Sequence, residues 1–395
     1  MRLVLHRDSP VAITGLGCVS AAGHGLPASM AALFAGTRRP APPTRLRSDL
    51  PTRFPVFEIA DFEQPVDELR TSALGLLAAR EALTDAGLDR DALASLRVGV
   101  CIGTTVGAVM GEENFCRMCL AGLDPDLAPV RRTLRNNPAD VIALAFGLNG
   151  PRQTIVNACA SGTDALGVAG SWIRAGLCDA VVAGGADGLD RVAYIGFASL
   201  MIADDEPCKP FDANRKGLNL GEGAAMLVLE SDPTCRRRGK RARSRLLGYG
   251  SAADAYHPTA PHPDGAGLRR AIGEALAAAG VRSSDLAFVN AHGTGTPDND
   301  RVEGRVLADV FPGVPYLSTK GLTGHMLGAA GAIEAVFTAA CLELGRVPAS
   351  AGFETPDPEI PNVPTREAQP VSGSVALSQS LAFGGNNAVV VIGNP

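Results

Sequence analysis

Three short segments of this 395-residue chain carry residue types that do chemistry when they are brought together. In Val156-Asn-Ala-Cys-Ala-Ser-Gly-Thr-Asp-Ala-Leu166 a cysteine stands where an apolar strand gives way to a small-residue turn and then a helix. Unpaired N–H groups and the macrodipole at a helix N-terminus favour a thiolate, so Cys159 is expected to be a better nucleophile than a cysteine in mid-helix. In Asn290-Ala-His-Gly-Thr-Gly-Thr-Pro297, His292 ends a short apolar strand and Gly293 and Gly295 open a tight loop. Thr294 and Thr296 alternate with those glycines, so their hydroxyls can face one way and offer hydrogen bonds to an amide-bearing substrate arm. Ser318-Thr-Lys-Gly-Leu-Thr-Gly-His325 brings Lys320, one of only four lysines, close to a second histidine in a strand-to-helix turn. Taken singly, a cysteine among small residues is a packing residue, and a loop histidine is as often structural as not. Two such histidines with a lysine and a turn cysteine have the composition of a site. Glu334, nine residues after His325 in an Ala-rich stretch, needs a partner if buried, and an internal hydrogen bond is expected there rather than a bound cation.

These residues need a scaffold, and the hydrophobic pattern describes one. Apolar or β-branched runs at residues 11–14 (before a Gly-rich turn), 98–102, 180–183 and 224–229 alternate with Ala-rich helical stretches. A second series follows at 287–291, 316–317, 375–380 and 388–392, which predicts a mixed α/β sheet with helices on its faces. Residues 163–176 and 326–345 are both Ala/Gly-rich, each begins just after a reactive residue, and neither has a charged stripe. Such helices fit between two sheets, where small residues allow close approach. An internal duplication accounts for this better than coincidence, with a first half at 1–245 that carries the cysteine and a second at 246–395 that carries both histidines. The seam falls near residues 236–245, where seven of ten are Arg or Lys. A solvated turn is expected there, with docking of an acidic protein as the alternative.

Composition narrows the function classes. The 36 Lys+Arg against 41 Asp+Glu leave a net charge of −5, so there is no general positive field for nucleic acid or anionic membrane. Nine cysteines without scaffold spacing read as reduced thiols of an intracellular protein. Cys116-Arg-Met-Cys119 has metal-ligand spacing, but no second pair completes a site, so no metal is expected. The first ten residues carry Arg2, Arg7 and Asp8, too charged for a signal peptide. From Ala368 onward no residue is charged, yet Ser, Gln, Asn and Gly recur too often for a membrane span. A cytoplasmic protein is expected.

The blocks Asn157-Ala-Cys159-Ala-Ser-Gly, His292-Gly-Thr-Gly-Thr296, Lys320-Gly-Leu-Thr-Gly-His325 and Phe383-Gly-Gly-Asn-Asn387 resemble the β-ketoacyl-[acyl-carrier-protein] synthases of the thiolase superfamily. Pro210-Phe-Asp212, Gly221-Glu-Gly-Ala224 and Asp300-Arg-Val-Glu303 extend the resemblance over about Val11 to Gly393. The chain is similar to the elongating enzymes, types I and II, rather than the initiating type, which carries Asn in place of the second histidine. The resemblance implies a thiolase-like α/β fold of duplicated mixed-sheet halves in a layered α-β-α-β-α arrangement. It implies a decarboxylative Claisen condensation of a Cys159-bound acyl chain with a malonyl thioester in fatty-acid biosynthesis. His292 and His325 would hold the malonyl carbonyl and stabilise the enolate through Nε2 donors, and the backbone N–H groups of Cys159 and Phe383 would form the oxyanion hole. Lys320 would order the site, supported by Glu303 and Asp300. Thr294 and Thr296 would grip the pantetheine arm, and Phe383 would act as a gate on a glycine hinge. No cofactor is implied. The substrates ride on the phosphopantetheine of a separate acyl carrier protein, since the chain holds no Asp-Ser-Leu carrier motif. A homodimer is implied, with the acidic carrier docking on local Arg patches.

Several positions depart from the family pattern. Asn386 stands where the elongating enzymes have Thr, and its amide is expected to alter the malonyl pocket. Gly321 replaces the Ser after the lysine, Leu218 replaces an aromatic, and the loop 112–137 is rich in Arg and Asn. These leave three other readings. A thiolase would need a second catalytic cysteine near the C-terminus, and there is none after Cys341. A non-catalytic chain-length subunit would lack Cys159. A ketosynthase of a polyketide or polyene pathway, working in a heterodimer with a second ketosynthase-like subunit, keeps the chemistry and changes the pathway.

Overall fold

The computed structural model describes residues 10–65, 68–105 and 113–395; the charged residues of the extreme N-terminus and Glu112 lie outside them. Thirteen strands are described: β1 (Val11–Ser20), β2 (Gly23–His24), β3 (Val98–Gly103), β4 (Arg152–Ile155), β5 (Ala180–Asp187), β6 (Gly223–Glu230), β7 (Ser244–Ala253), β8 (Leu286–Asn290), β9 (Tyr316–Leu317), β10 (Arg346–Val347), β11 (Gln369–Pro370), β12 (Val375–Ala382) and β13 (Asn386–Gly393). Strands β10 and β11 form a separate two-stranded ribbon.

The rest order as β4-β3-β5-β6-β1 and β7-β13-β12-β8-β9, with β2 paired to β1. In each half the first strand lies outermost on the side where the halves meet, and the third lies at the far edge. The second strand is parallel to the third and fourth, while the fifth is antiparallel to its neighbours. The two halves thus share one topology, and among the described residues their sheet strands pair with each other through the three-residue antiparallel match of Val11–Ile13 with Ser244–Leu246.

The shared topology extends to packing. Gly15 and Gly17 on β1 let the helix Arg70–Asp85 approach so closely that a Cβ at either would lie 2.1 or 2.2 Å from a helix carbonyl. Gly248 and Gly250 on β7 do the same for Ala266–Ala279, with carbonyls at 2.2 Å from both. This corrects the expectation of a Gly-rich turn after residue 14. The glycines are spaced by two on one face of a strand that continues to Ser20, and their role is close helix approach rather than chain reversal.

The helices Ser161–Arg174 and Ala330–Leu344 lie between the two halves of the sheet, and the other two cover the outer faces, which makes five layers. The Leu327–Leu344 segment is long and apolar enough to cross a bilayer, but 89% of it is buried inside this core. The basic stretch 236–245 does more than sit in water. It ends the helix Asp232–Arg238, and Arg238, Lys240, Arg243 and Arg245 are tied to Glu230, the Asp85 backbone, Asp85 with Glu343, and Asp232.

The two central helices meet backbone to backbone: a Cβ on Gly331 would lie 2.0 Å from Thr163 Oγ1 and 2.8 Å from Ser380 Oγ, which are themselves hydrogen-bonded. Gly331→Ala is therefore expected to destabilise the fold by about 1 to 3 kcal/mol through overpacking, read as a lowered midpoint in chemical denaturation. Wild-type stability in that variant would mean that the layers can part.

Candidate active site

Cys159 lies between the end of β4 and the helix Ser161–Arg174, on a turn whose preceding residue, Ala158, has φ +46°. An alanine in that region stores roughly 1 to 3 kcal/mol of strain and needs surroundings that hold it. The Asn157 N–H donates to Ser161 Oγ at 2.7 Å, and that hydroxyl donates to the Ala158 carbonyl at 2.6 Å. Asn157 Nδ2 donates to Asp164 at 2.5 Å, and the Tyr249 hydroxyl, from β7, donates to the other carboxylate oxygen at 2.8 Å. Tyr249 reaches that position because its ring crosses the helix at Gly167, where a Cβ would be 2.4 Å from the ring. Burial pushes the Asp164 carboxyl upward, and the two donors pull it back.

The thiol differs from the helix-terminus expectation. Burial pushes Cys159 up to about 12, against the opposing pull of the Lys320 charge and a hydrogen bond from the Phe383 backbone N–H. Burial thus acts against the thiolate more strongly than those two groups act for it. What favours negative charge here is the set of donors aimed at the sulfur. His325 Nε2 stands 3.1 Å from it.

The two imidazoles have defined tautomers. His325 Nδ1 accepts the Leu327 N–H at 3.2 Å, so Nε2 carries the proton and faces Cys159. His325 is seated through its backbone by Asn219 and Gly221, at 2.8 and 3.0 Å. Lys320 Nζ donates to the His292 carbonyl at 2.6 Å, to His292 Nδ1 at 3.0 Å and to Glu334. An ammonium has three protons and here meets three acceptors, so His292 Nδ1 must accept and its Nε2 also carries the proton. The rings cross at 83° with centroids 5.2 Å apart. Both are held well below the ordinary histidine range by burial and by the Lys320 charge, with His325 adding to the effect at His292.

The ligand atoms of Cys159, His292 and His325 lie within 4.8 Å of one another, close enough to suggest a metal. A metal-bound histidine gives its other ring N–H to an acceptor. In this trio both Nδ1 atoms face donors, so the residues do not fit an ion.

Lys320 and its supports differ from the expectation. Asp300 and Glu303, both on the helix Pro297–Val310, do not contact Lys320; Glu334 is its carboxylate partner. Burial pushes Glu334 upward and Lys320 pulls it back. Glu303 accepts the N–H groups of His292 and Gly293 at 2.6 and 2.8 Å, and Asp300 accepts those of Thr294 and Phe211 at 3.0 and 2.6 Å. The pair therefore clamps the histidine loop by its backbone. The Thr294 and Thr296 hydroxyls lie 2.8 Å apart on the pocket wall.

Phe383 also lines the pocket, with its ring stacked on Phe197 at 5.5 Å, and is followed by Gly384 and Gly385 at φ 82° and 73°. Asn386 is not part of the wall. Its side chain donates back to the Phe383 carbonyl at 3.3 Å, while Asn387 lines the pocket and holds Asp254 at 3.1 Å. The Asn386 departure therefore acts on the turn behind Phe383 rather than on the pocket. Gly321 is required where it stands, since a Cβ would lie 2.0 Å from the Ala351 carbonyl. None of the described residues of the loop 112–137 lines the pocket.

Sequence reasoning missed Asp187. At the end of β5 it accepts from Thr104 Oγ1, Thr105 N, Thr105 Oγ1 and Gly328 N at 2.7, 2.9, 3.0 and 2.7 Å, pinning the loop after His325 to the sheet. It also missed Asn219, and Gln379, which donates to Glu303 at 2.6 Å. Nothing in their sequence neighbourhood marks them, because their partners are distant in the chain. Cys159, His292 and His325 lie at the buried end of a cavity of about 330 Å³ that Thr294, Thr296 and Phe383 also line.

Residues 8–234 match the family described as Beta-ketoacyl synthase, N-terminal domain, and residues 243–354 match Beta-ketoacyl synthase, C-terminal domain. The 3-oxoacyl-[acyl-carrier-protein] synthase 2 of Staphylococcus aureus (strain COL) is 33% identical over 408 residues, covering 98% of this chain and 99% of that protein. The solved structure of the ishigamide ketosynthase/chain length factor superposes with a TM-score of 0.93 at 34% identity, covering 98% of this chain and 100% of the other. A type II PKS acyl-carrier protein in complex with its ketosynthase gives 0.91 at 28% identity, covering 98% and 100%.

Two outcomes test this geometry. Asn157→Asp places two carboxylates face to face and Asp164→Asn removes the charge that Asn157 and Tyr249 both donate to, whereas the double exchange restores a carboxylate opposite an amide. Alkylation of Cys159 is expected to slow about tenfold in each single variant and to recover in the double, as for a coupling of about 2.8 kcal/mol. Additive losses would mean that the pair does not hold the turn. On enzyme whose cysteine is already acylated, decarboxylation of a malonyl thioester is expected to pass pH 6.5 without inflection, because both imidazoles stay neutral well below that value. A step at 6.5 in the pH profile would show rings that titrate as in water.

Proposed function

The chain belongs to the β-ketoacyl synthase family, and on that premise we propose that it is a 3-oxoacyl-[acyl-carrier-protein] synthase that elongates fatty-acyl chains by decarboxylative condensation. The observation that carries the reading is the convergence of one thiol and two Nε2–H donors at the buried end of a single pocket. In this reading the two halves, 1–245 and 246–395, divide the work: the first holds the acyl chain and the second handles the malonyl group.

The Cys159 sulfur attacks the carbonyl of an acyl thioester, the bond to the carrier's sulfur breaks, and the thiol proton passes to the departing thiolate. Negative charge that develops on the carbonyl oxygen is met by the backbone N–H groups of Cys159 and Phe383. A malonyl thioester then enters past Thr294 and Thr296, and its carbonyl accepts from His292 Nε2 and His325 Nε2. The bond to the carboxyl group breaks and carbon dioxide leaves. The electron pair remains as an enolate whose oxygen the two imidazoles stabilise. Neutral donors suit this step, since they hold the charge without surrendering a proton to the carbanion. The enolate carbon bonds to the acyl carbonyl, the thioester to Cys159 breaks with the sulfur leaving as a thiolate that takes up a proton from solvent, and a 3-oxoacyl product two carbons longer remains on the carrier. Lys320 acts through His292, whose tautomer and position it sets, with Glu334 balancing its charge; Asp300 and Glu303 hold the loop.

The partner is a separate acyl carrier protein, whose phosphopantetheine supplies the only prosthetic group, and the setting is the cytoplasm. A homodimer fits the exposed edge of β4, which has no further strand partner among the described residues, and the exposed Leu144 and Val156 beside it. The similarity to the ishigamide ketosynthase/chain length factor favours a second reading, in which the same chemistry serves a polyketide or polyene pathway in a heterodimer.

Intact-protein mass spectrometry with acyl-carrier donors of different chain length is expected to show one adduct, absent in Cys159→Ala, and its discharge by malonyl-carrier to a longer product. Full condensation by Cys159→Ala would overturn the mechanism. Acylation that occurs only after a second ketosynthase-like subunit is added would favour the heterodimer.

A further inference from the structure

The pocket runs from a buried to an exposed end. Cys159, His292 and His325 are at most 5% exposed, Thr296 is intermediate, and Met201, Lys216, Pro297 and Asp298 stand open to solvent at the rim. Lys216 is the single Lys or Arg in that lining, and one of only four lysines in the chain. Lys320, at the inner end, has all three of its protons engaged by His292 and Glu334. Among the described residues no lining cation is therefore free to hold a carboxylate where decarboxylation must occur, and the one positive charge in that lining lies at the mouth.

The Lys216 ammonium is loosely held. It approaches Glu206 Oε1 at 3.4 Å, near the limit for a hydrogen bond, while Lys209 holds the other oxygen at 2.7 Å. The flanking Arg215 and Gly217 are buried, so the backbone beneath Lys216 is firm and its side chain alone is free to swing. A solvated pair of this kind exchanges readily for another anion.

We infer that Lys216 is the anion contact at the outer end of the Cys159 pocket and binds the phosphodiester of the phosphopantetheine arm, with Glu206 occupying it when no substrate is bound. This deepens the function proposed above and rests on it. The arm carries one permanent negative charge, the rim offers one cation, and the amide-bearing stretch between them faces the Thr294 and Thr296 hydroxyls.

The test uses acyl-loaded enzyme and three malonyl donors: malonyl-carrier, malonyl-phosphopantetheine and malonyl-N-acetylcysteamine, which lacks the phosphate. Lys216→Met is expected to raise KM about two- to fivefold for the first two donors, the range of an exposed ion pair, and to leave the third unaffected. Glu206→Gln, which frees Lys216, is expected to lower KM for the same two. The Lys216→Met effect should fade as salt is raised. An equal change for all three donors, or none for any, would overturn the assignment. An effect confined to malonyl-carrier would overturn it in favour of a contact with the carrier's own acidic surface. Failure of every donor to yield product with the unaltered enzyme would instead refute the proposed condensation itself.

Discussion

The site depends on one buried ammonium with no spare proton. Lys320 gives its three N–H bonds to a backbone carbonyl, an imidazole nitrogen and a carboxylate, all in a region closed to water. An unpaired charge at that depth would be strongly destabilising, so the His292 loop and the Glu334 helix are held in register by the need to satisfy it. Because its three donors are all engaged, the lysine neither serves as a base nor attracts an anionic substrate. Its influence reaches the pocket through His292, whose tautomer it sets, and through its charge, which adds to the effect of burial in holding both rings well below the ordinary histidine range.

The other polar contacts follow the same principle of orienting reactive groups from behind. The Leu327 N–H fixes His325, and Glu303 and Asp300 gather the N–H groups of a loop whose glycines could otherwise turn many ways. Asp164 braces Asn157, and Ser161 the strained Ala158, on the turn before the nucleophile. At the buried end of the pocket the two imidazoles present N–H donors, which suits a reaction in which negative charge appears on a thioester oxygen. The same wiring separates this trio from a metal site of similar composition.

These groups can be placed so finely because the scaffold is repeated. Two halves of one topology pack their central helices face to face, and the reactive cysteine and second histidine sit just ahead of those helices. Glycines at matched places in β1 and β7, and at the contact of the central helices, bring backbones closer than side chains would permit. The cost is a core with little tolerance for an added methyl group.

Much of this was legible in the chain alone. The alternation of apolar runs and Ala-rich stretches marked an α/β duplication, since strand and helix periodicities are local properties. Cys159, His292, His325 and Lys320 stood out by type, turn composition and spacing, whereas the condensation chemistry was implied by the resemblance to the β-ketoacyl synthases. The tertiary structure decided what depends on partners far apart in sequence: that Lys320 pairs with Glu334 rather than Glu303, that Asn386 braces the turn behind Phe383, and that Asp187 and Tyr249 belong to the site at all. It also set burial against the thiolate at Cys159, because burial is a property of the whole fold and not of the local turn.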